Sequence, residues 1–219
     1  MNFDKSNSAI CHLPALSLVV DIYPCYNKLM PKQIRTFIAI DITEQMRQEL
    51  SRIQSQLKPD LAGKISWVRP ENIHITLRFL GDIGQQMLSQ IKQIIADTAD
   101  TTSGFSVDLG ELGAFPKAYN PRVIWVGIKS GQDKLKALHT QLQEKLNGIG
   151  FAQEEKDFHP HLTIARIKLL KDKQALENLL HQIKPRNLST AIDRIILFQS
   201  QLSQQESIYS KLFEQKLKM

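Results

Sequence analysis

The amino-acid sequence predicts an α+β fold in which two similar halves face each other across a central cleft. Each half is expected to be an antiparallel sheet with helices on its outer side. Segments with the two-residue period of strands alternate with segments of helical period, as this fold class requires. The tripeptide His-x-Thr occurs on two strands, at His74 and at His161. These histidines are 87 residues apart, and other elements recur at the same offset, which indicates an internal duplication.

The first half begins with a strand and a helix. Residues 35–42 (RTFIAIDI) form a continuous apolar run with β-branched residues, typical of a buried strand. Apolar residues then recur at helical spacing through 44–57. Residues 65–81 contain a short strand, a Pro-Glu-Asn turn and a second strand, and a helix is expected over about 85–99.

The second half repeats this order. Residues 105–115 have an extended but irregular pattern, and 122–128 (RVIWVGI) predict another buried strand. Four leucines then mark a helix that ends at an Asn-Gly stop: Leu135, Leu138, Leu142 and Leu146. Residues 157–167 (DFHPHLTIARI) predict the strand with the second His-x-Thr. A helix over 172–183 and strands over 191–200 and 208–217 complete the chain.

The offset of 87 residues covers three elements. It places the strand start Arg35 on Arg122 and the helix 44–57 on 131–144, in addition to the two histidines. A shared offset across a strand, a helix and a motif is far more specific than either tripeptide alone.

Residues 1–33 differ from the rest of the chain. They contain three prolines and no clear period, and we expect a non-core extension that is disordered. No signal-peptide pattern is present, and Met30 is a candidate alternative start. The folded domain is therefore expected over 34–219.

Composition limits the class of protein. The 219 residues are 42% apolar and 23% charged, which is typical of a soluble globular protein, and no apolar run is long enough to cross a bilayer. A net charge of +6 mildly favours a polyanionic partner such as RNA. The only cysteines are Cys11 and Cys25, which excludes a disulfide framework and a cysteine-based zinc cluster in the body, and fits the cytoplasm.

Strand alternation gives the two motifs a common geometry. Residues i and i+2 share a face of a strand, so His74 lies on the same face as Thr76, and His161 on the same face as Thr163. The intervening apolar residues face the helices. If a pseudo-twofold axis relates the halves, the two polar faces meet across the cleft.

Two imidazoles and two hydroxyls suit the chemistry of phosphodiesters. Histidines titrate near neutrality and can act together as general acid and general base, while hydroxyls donate to phosphoryl oxygens. Arg166 could bind a phosphate, although simple alternation puts it on the opposite face from His161 unless the strand bends. Arg78, four residues past His74, has the matching parity and is a second candidate.

Further residues have alternative interpretations. Asp157, His159 and His161 could in principle hold zinc, but side chains two residues apart rarely complete a tetrahedral site, so no metal is expected. Phe158 is the aromatic side chain most readily assigned to nucleobase stacking, although a core position is the more common one for such a residue; Trp125 is expected in the core.

Taken together, these segments resemble the two-histidine (2H) phosphoesterases, and within them the RNA 2',3'-cyclic phosphodiesterases, also called 2'-5' RNA ligases or LigT-like proteins. The resemblance spans roughly Arg35 to the end and is carried by five segments: RTFIAIDI, NIHITLRFLG, RVIWVGI, FHPHLTIAR and LFQSQLSQQESIYSKL. It implies a bilobal fold with the active site between the lobes.

The resemblance also implies an activity and residue roles. The family hydrolyses a terminal 2',3'-cyclic phosphate to a 2'-phosphomonoester without metal or other cofactor, with a weak reverse 2'-5' ligation. By this resemblance His74 is the proton donor and His161 the proton acceptor, while Thr76, Thr163 and Arg166 bind phosphate. The tail departs from the family, since Gln204, Gln205 and Glu206 stand where relatives often carry glycine and basic residues.

The expected function is therefore that of a cytoplasmic, monomeric enzyme acting on RNA ends or small cyclic nucleotides, with no membrane and no obligate protein partner. Two acid–base imidazoles predict a bell-shaped pH profile with both limbs between about pH 5 and 8. Two alternatives stay open: a module that binds RNA ends without turnover, and a metal-dependent phosphohydrolase.

Overall fold

The computed structural model describes residues 33–202 and 207–218. These residues form nine strands and four helices in the order β1 Gln33–Ile40, α1 Glu44–Leu57, β2 Gly63–Trp67, β3 Ile75–Gly84, α2 Met87–Ala99, β4 Phe105–Phe115, β5 Val123–Ile128, α3 Gln132–Asn147, β6 His161–Leu170, α4 Lys173–Gln182, β7 Ser189–Ile192, β8 Arg194–Leu202 and β9 Ser207–Lys216. The predictions for the N-terminal extension up to residue 32 and for residues 204–206 lie outside the described residues.

The strands pair in the order β7-β4-β5-β6-β3-β1-β8-β9, with β2 added beside β6. All these pairings are antiparallel. Two four-stranded halves are thus present, β7-β4-β5-β6 and β3-β1-β8-β9. Among the described residues, β3 and β6 pair along their strands at a single residue pair, Ile75 with Leu162, where the two halves of the sheet meet.

The strand order confirms the duplication. Outward from the β3–β6 junction, β1 and β5 come next, and then β8 and β4. The first two of these pairs, β3 with β6 and β1 with β5, are related by the offset of about 87 residues, as are α1 and α3. Ile75 and Leu162 are themselves separated by 87 residues and pair antiparallel, so the axis that relates the halves passes between them.

One long strand predicted from the sequence is in fact two. Residues 191–200 are divided at Asp193, and β7 pairs with β4 while β8 pairs with β1 and β9, in opposite halves. The Asp193 carboxylate accepts hydrogen bonds from the Arg194 side chain at 2.8 and 2.9 Å, and its carbonyl accepts one from Leu217. No glycine or proline marks this break, so periodicity alone could not locate it.

The region predicted as irregular, 105–115, is a continuous strand with a register shift between Leu109 and Leu112. Within the core, the helices bury their apolar faces against the strands. Fully buried positions include Leu50, Ile53, Leu57, Ile91, Leu135 and Leu142. In the part of the chain that the structure describes, no helix is both long and apolar enough to span a membrane.

Candidate active site

Both His-x-Thr motifs lie at the junction between the halves. His74 immediately precedes β3, and His161 is the first residue of β6. Ile75 and Leu162 point into the core, whereas the histidines are partly exposed on the other face. In an antiparallel register around this pair, His74 comes opposite Thr163 and Thr76 opposite His161. The fold thus brings all four side chains together.

Both imidazole rings are held in the same way. The Nδ1 atom of His74 lies 2.8 Å from the carbonyl oxygen of Asn72, and that of His161 lies 2.6 Å from the carbonyl oxygen of His159. A carbonyl oxygen only accepts, so each Nδ1 carries the proton and donates it. The Nε2 atom of each neutral ring is therefore left as the nitrogen that can exchange a proton with a substrate.

Aromatic rings surround His74. Its ring stacks on Phe37 at 4.8 Å between centroids and meets Tyr209 edge-on at 5.4 Å. These two side chains belong to a small apolar cluster on this face of the sheet, with Ala39, Ile196 and Phe198. Burial in this surrounding disfavours the charged imidazolium and lowers the pKa of His74 to about 4.

The surroundings of His161 are similar. Phe115 meets its ring edge-on at 5.1 Å, and Trp125 lies at 6.3 Å. Burial is again the main cause that lowers the pKa of His161. A cavity of about 430 Å³ opens beside the ring, with Trp125 and His159 in its wall. Trp125 thus lines the cleft, although the sequence predicted a core position.

A bulge in β3 and an equivalent bulge in β6 determine which arginine faces the cleft. Leu77 has no partner in the β1–β3 register, and Ile164 has none in the β5–β6 register. These two positions are equivalent in the repeat. Each bulge shifts the alternation by one residue, so Arg166 is exposed on the face of His161 while Arg78 is buried.

Arg166 is therefore placed as the cleft arginine. Its positive charge contributes to lowering the pKa of both His74 and His161, after the larger effect of burial, which reflects its proximity to both rings. The side chains of Thr76 and Thr163 are partly exposed on the same face. One guanidinium and two hydroxyls are thus placed where an anion could bind.

Arg78 lies on the opposite side of β3. Its side chain is 5% exposed and is 2.9 Å from Glu154, with further hydrogen bonds to Gln143 and to the carbonyl of Ala152. These partners belong to α3 and the segment that follows it. We therefore assign Arg78 to the packing of α3 against β3 and leave it out of the site.

Phe158 also lies away from the cleft. Its ring stacks on His139 of α3 at 4.3 Å with an interplanar angle of 2°, and it packs against the main core. His159 contributes a carbonyl to His161 and lines the cavity. Among the described residues no three His, Cys, Asp or Glu side chains converge as a metal site would require, and Asp157 does not join the two histidines.

Phe79 is an aromatic residue beside the site that was not predicted from the sequence. This ring is 62% exposed and lies 6.1 Å from Phe37, on the face that carries His74. Phe79 is the repeat equivalent of Arg166, five residues past its histidine and beyond the same bulge. The 87-residue offset was the signal that could have identified it.

Gln54 of α1 anchors the second bulge. Its side chain is 3% exposed, and its amide donates to the carbonyl oxygens of Ile164 at 2.8 Å and Val68 at 2.7 Å. The backbone N–H of Val68 also donates to Ile164, at 3.0 Å. These bonds satisfy the carbonyl at the bulge and so stabilise the turn that directs Arg166 into the cleft.

Two kinds of sequence comparison identify relatives of the chain. The model of the LigT like Phosphoesterase family matches twice, over residues 40–125 and 126–209. A Thermotoga maritima protein named RNA 2',3'-cyclic phosphodiesterase is 36% identical over 181 residues, 83% of this chain and 94% of that protein. A Methanothermobacter thermautotrophicus protein of the same name is 31% identical, over 82% of this chain and 97% of that protein.

Solved structures show the same fold. The Thermus thermophilus protein TT0787 superposes with a TM-score of 0.73 at 23% identity, covering 84% of this chain and 98% of that one. Escherichia coli LigT complexed with 3'-AMP superposes with a TM-score of 0.71 at 24% identity, covering 86% and 100%. The duplicated sheet and the two family matches lead to one assignment: the chain belongs to the LigT-like phosphoesterase family.

Proposed function

We propose that the chain hydrolyses the 2',3'-cyclic phosphate at an RNA end to a 2'-phosphomonoester, with His74 and His161 as acid and base. The observation that carries this proposal is the pair of imidazoles at the junction, each with Nδ1 bound to a carbonyl and Nε2 available. The substrate class follows the names of the relatives at 30% identity or more.

The proposed reaction is a single in-line displacement. Nε2 of His161 takes a proton from water, and the resulting hydroxide attacks phosphorus. The bond between phosphorus and the ribose 3'-oxygen breaks, and the Nε2–H of protonated His74 donates its proton to that oxygen. The products are a 2'-phosphomonoester and a 3'-hydroxyl, and the two imidazoles exchange protons with solvent before the next turnover.

The remaining groups of the site stabilise charge and hold the nucleotide. Arg166 is assigned to the non-bridging phosphate oxygens, whose negative charge grows during attack, together with Thr76 and Thr163. Phe79 presents an exposed ring on the cleft face and is assigned to stacking with the terminal base. Each of these side chains lies on the face that carries the histidines.

The proton donor requires the substrate. In the free protein burial lowers the pKa of His74 to about 4, so the ring is neutral at pH 7. A bound cyclic phosphate carries a negative charge, which favours the imidazolium and raises this pKa. The expectation that both limbs of the pH profile lie between about pH 5 and 8 therefore applies to the substrate complex.

Other features of the function follow from the same proposal. An RNA 5'-hydroxyl in place of water would give a 2'-5' phosphodiester, which is the weak ligation expected from the family. The proposed steps use only side chains of this chain, so we infer a monomeric enzyme that uses no cofactor. The content of only two cysteines favours the cytoplasm. Small 2',3'-cyclic nucleotides are expected as substrates as well as RNA.

A turnover assay tests the proposal. The protein is incubated with a short RNA that ends in a 2',3'-cyclic phosphate, in excess EDTA, and the product is identified by chromatography against 2'- and 3'-phosphate standards. We expect the 2'-phosphate product with EDTA present. Tight binding without turnover would support the binding-module alternative, and loss of turnover in EDTA would support the metal-dependent alternative.

A further inference from the structure

A second cavity continues the one beside His161. The two cavities share Glu111, Ile128 and Gln132 in their walls. The second has a volume of about 610 Å³ and is larger than the first. An extended groove therefore runs from His161 along the β4–β5 half of the sheet.

The far part of this groove is basic. Lys129, Lys184 and Arg186 line it, together with Asn187, and we name it the basic cavity. The one carboxylate among the described residues of its wall, Glu111, is 3.3 Å from Lys184, but both side chains are highly exposed. Such an exposed pair is weak, so a phosphate can replace the carboxylate as the partner of Lys184.

The loop that carries two of these cations is fixed by the core. Glu49 is a buried carboxylate on α1 that accepts the backbone N–H of Arg186 at 2.9 Å. Arg52 binds the same carboxylate and also donates to the carbonyl oxygen of Lys184 at 3.2 Å. Because Arg52 already neutralises Glu49, the Arg186 guanidinium, 71% exposed and 3.7 Å from Glu49, is available to an anion.

The structure of an RNA with a cyclic-phosphate end limits what can occupy this groove. An RNA that ends in a 2',3'-cyclic phosphate continues only through the 5'-phosphate of its terminal nucleotide. Any part of the RNA that contacts the protein beyond the terminal nucleotide therefore lies on the 5' side of that nucleotide. Lysine and arginine bind backbone phosphates without regard to base sequence.

We propose that the basic cavity binds the backbone phosphates of the nucleotides on the 5' side of the cyclic end, so that the enzyme prefers RNA oligomers to mononucleotides. This inference rests on the proposed function. These phosphates distinguish an RNA end from a small cyclic nucleotide, and Lys129, Lys184 and Arg186 are the residues proposed to bind them.

The test compares two substrates and two triple variants. The basic-cavity variant is Lys129→Gln, Lys184→Gln and Arg186→Gln. The control variant removes the same charge from exposed lysines that line neither cavity: Lys171→Gln, Lys173→Gln and Lys218→Gln. The substrates are adenosine 2',3'-cyclic phosphate and a short RNA oligomer with a cyclic end, and kcat/KM is measured from low to moderate salt.

The basic-cavity variant is expected to lose roughly tenfold more kcat/KM on the RNA than on the mononucleotide, mainly through KM. Its salt dependence on the RNA should become shallower by about 0.7 in logarithmic slope for each phosphate contact removed. Equal losses on both substrates, no loss on the RNA, or the same loss in the control variant would overturn the proposal.

A binding measurement separates this inference from the proposed function. Fluorescence anisotropy with a labelled RNA oligomer ending in a 2'-phosphate reports on the groove without turnover. Weaker binding by the basic-cavity variant alone supports the groove even if the wild type hydrolyses neither substrate, which would count against the proposed function only. Equal binding by all three proteins would contradict the groove.

Discussion

Ile75 and Leu162 are equivalent residues of the two halves, and they pair with each other where the halves meet. Their position on the pseudo-twofold axis has a direct consequence for function. The residue before each of them is a histidine, so the duplication itself delivers two imidazoles to one place. Each half contributes one of these two imidazoles.

The pKa of His74 is expected to depend on the ligand. NMR titration of the imidazole nitrogens should give a value of about 4 in the free protein, because burial disfavours the imidazolium. A bound nucleoside 2'-monophosphate should raise this pKa by roughly one unit or more through its negative charge. A value for His74 near 6.5 without ligand would contradict the assigned environment.

Stability should fall on mild acidification. Burial lowers the pKa values of His74, His139 and His161 below the value of about 6.5 that they have in the unfolded chain. The unfolded chain therefore binds more protons as the pH falls through about 6.5, and the free energy of unfolding decreases there. Urea unfolding at about pH 7.5, 6 and 5 measures this decrease. Constant stability across the range would contradict it.

Arg166 and Arg78 should behave oppositely on substitution. Arg166→Ala removes the exposed guanidinium that we propose binds phosphate, and we expect kcat/KM to fall about 10- to 100-fold with little change in thermal stability. Arg78→Ala removes a buried guanidinium that binds Glu154, and we expect a loss of about 1–3 kcal/mol in stability with the activity of the folded protein retained. A loss of activity in Arg78→Ala and a loss of stability in Arg166→Ala would contradict the assignment of Arg166 to the cleft and Arg78 to the core.

Phe79 should affect substrate binding through its ring. Phe79→Ala is expected to raise KM about tenfold, because stacking on a base contributes roughly 1–3 kcal/mol. Phe79→Tyr keeps the aromatic face and is expected to retain activity. Since Phe79 is exposed, both variants should fold normally. Unchanged kcat and KM in Phe79→Ala would contradict a contact between this ring and the substrate.

Gln54 is expected to act through Arg166. Gln54→Met removes both amide hydrogen bonds and leaves the Ile164 carbonyl with the Val68 N–H alone, at a cost of about 1–2 kcal/mol in stability. If the bulge loosens, Arg166 loses its position, so Arg166→Ala should cost less activity in the Gln54→Met background than in the wild type. A double-mutant cycle measures this difference. Strict additivity would mean that Gln54 contributes only to stability.

Much of this architecture could be predicted from the sequence. The offset between His74 and His161 already indicated two halves, and the period of each segment predicted most strands and helices. Alternation also placed each threonine on the face of its histidine. These inferences hold because local periodicity and a repeat are properties of the chain itself.

The parts that could not be predicted depend on single-residue changes in register. The bulges at Leu77 and Ile164 exchange the faces of Arg78 and Arg166, and no glycine or proline marks either bulge. Phe158 stacks on His139, which comes from a distant helix, so its neighbours could not be read from nearby residues. Contacts between residues distant in sequence determine the positions of these side chains.

The central claim is that His74 and His161 work as one acid–base pair in one site. The direct measurement is the initial rate of hydrolysis of a cyclic-phosphate RNA by His74→Ala, His161→Ala and the double variant, with His181→Ala as the control. The account predicts losses of about 10²- to 10⁴-fold in each single variant. It also predicts little further loss in the double variant, because the residues act as a unit. Near wild-type activity in either single variant would contradict the account.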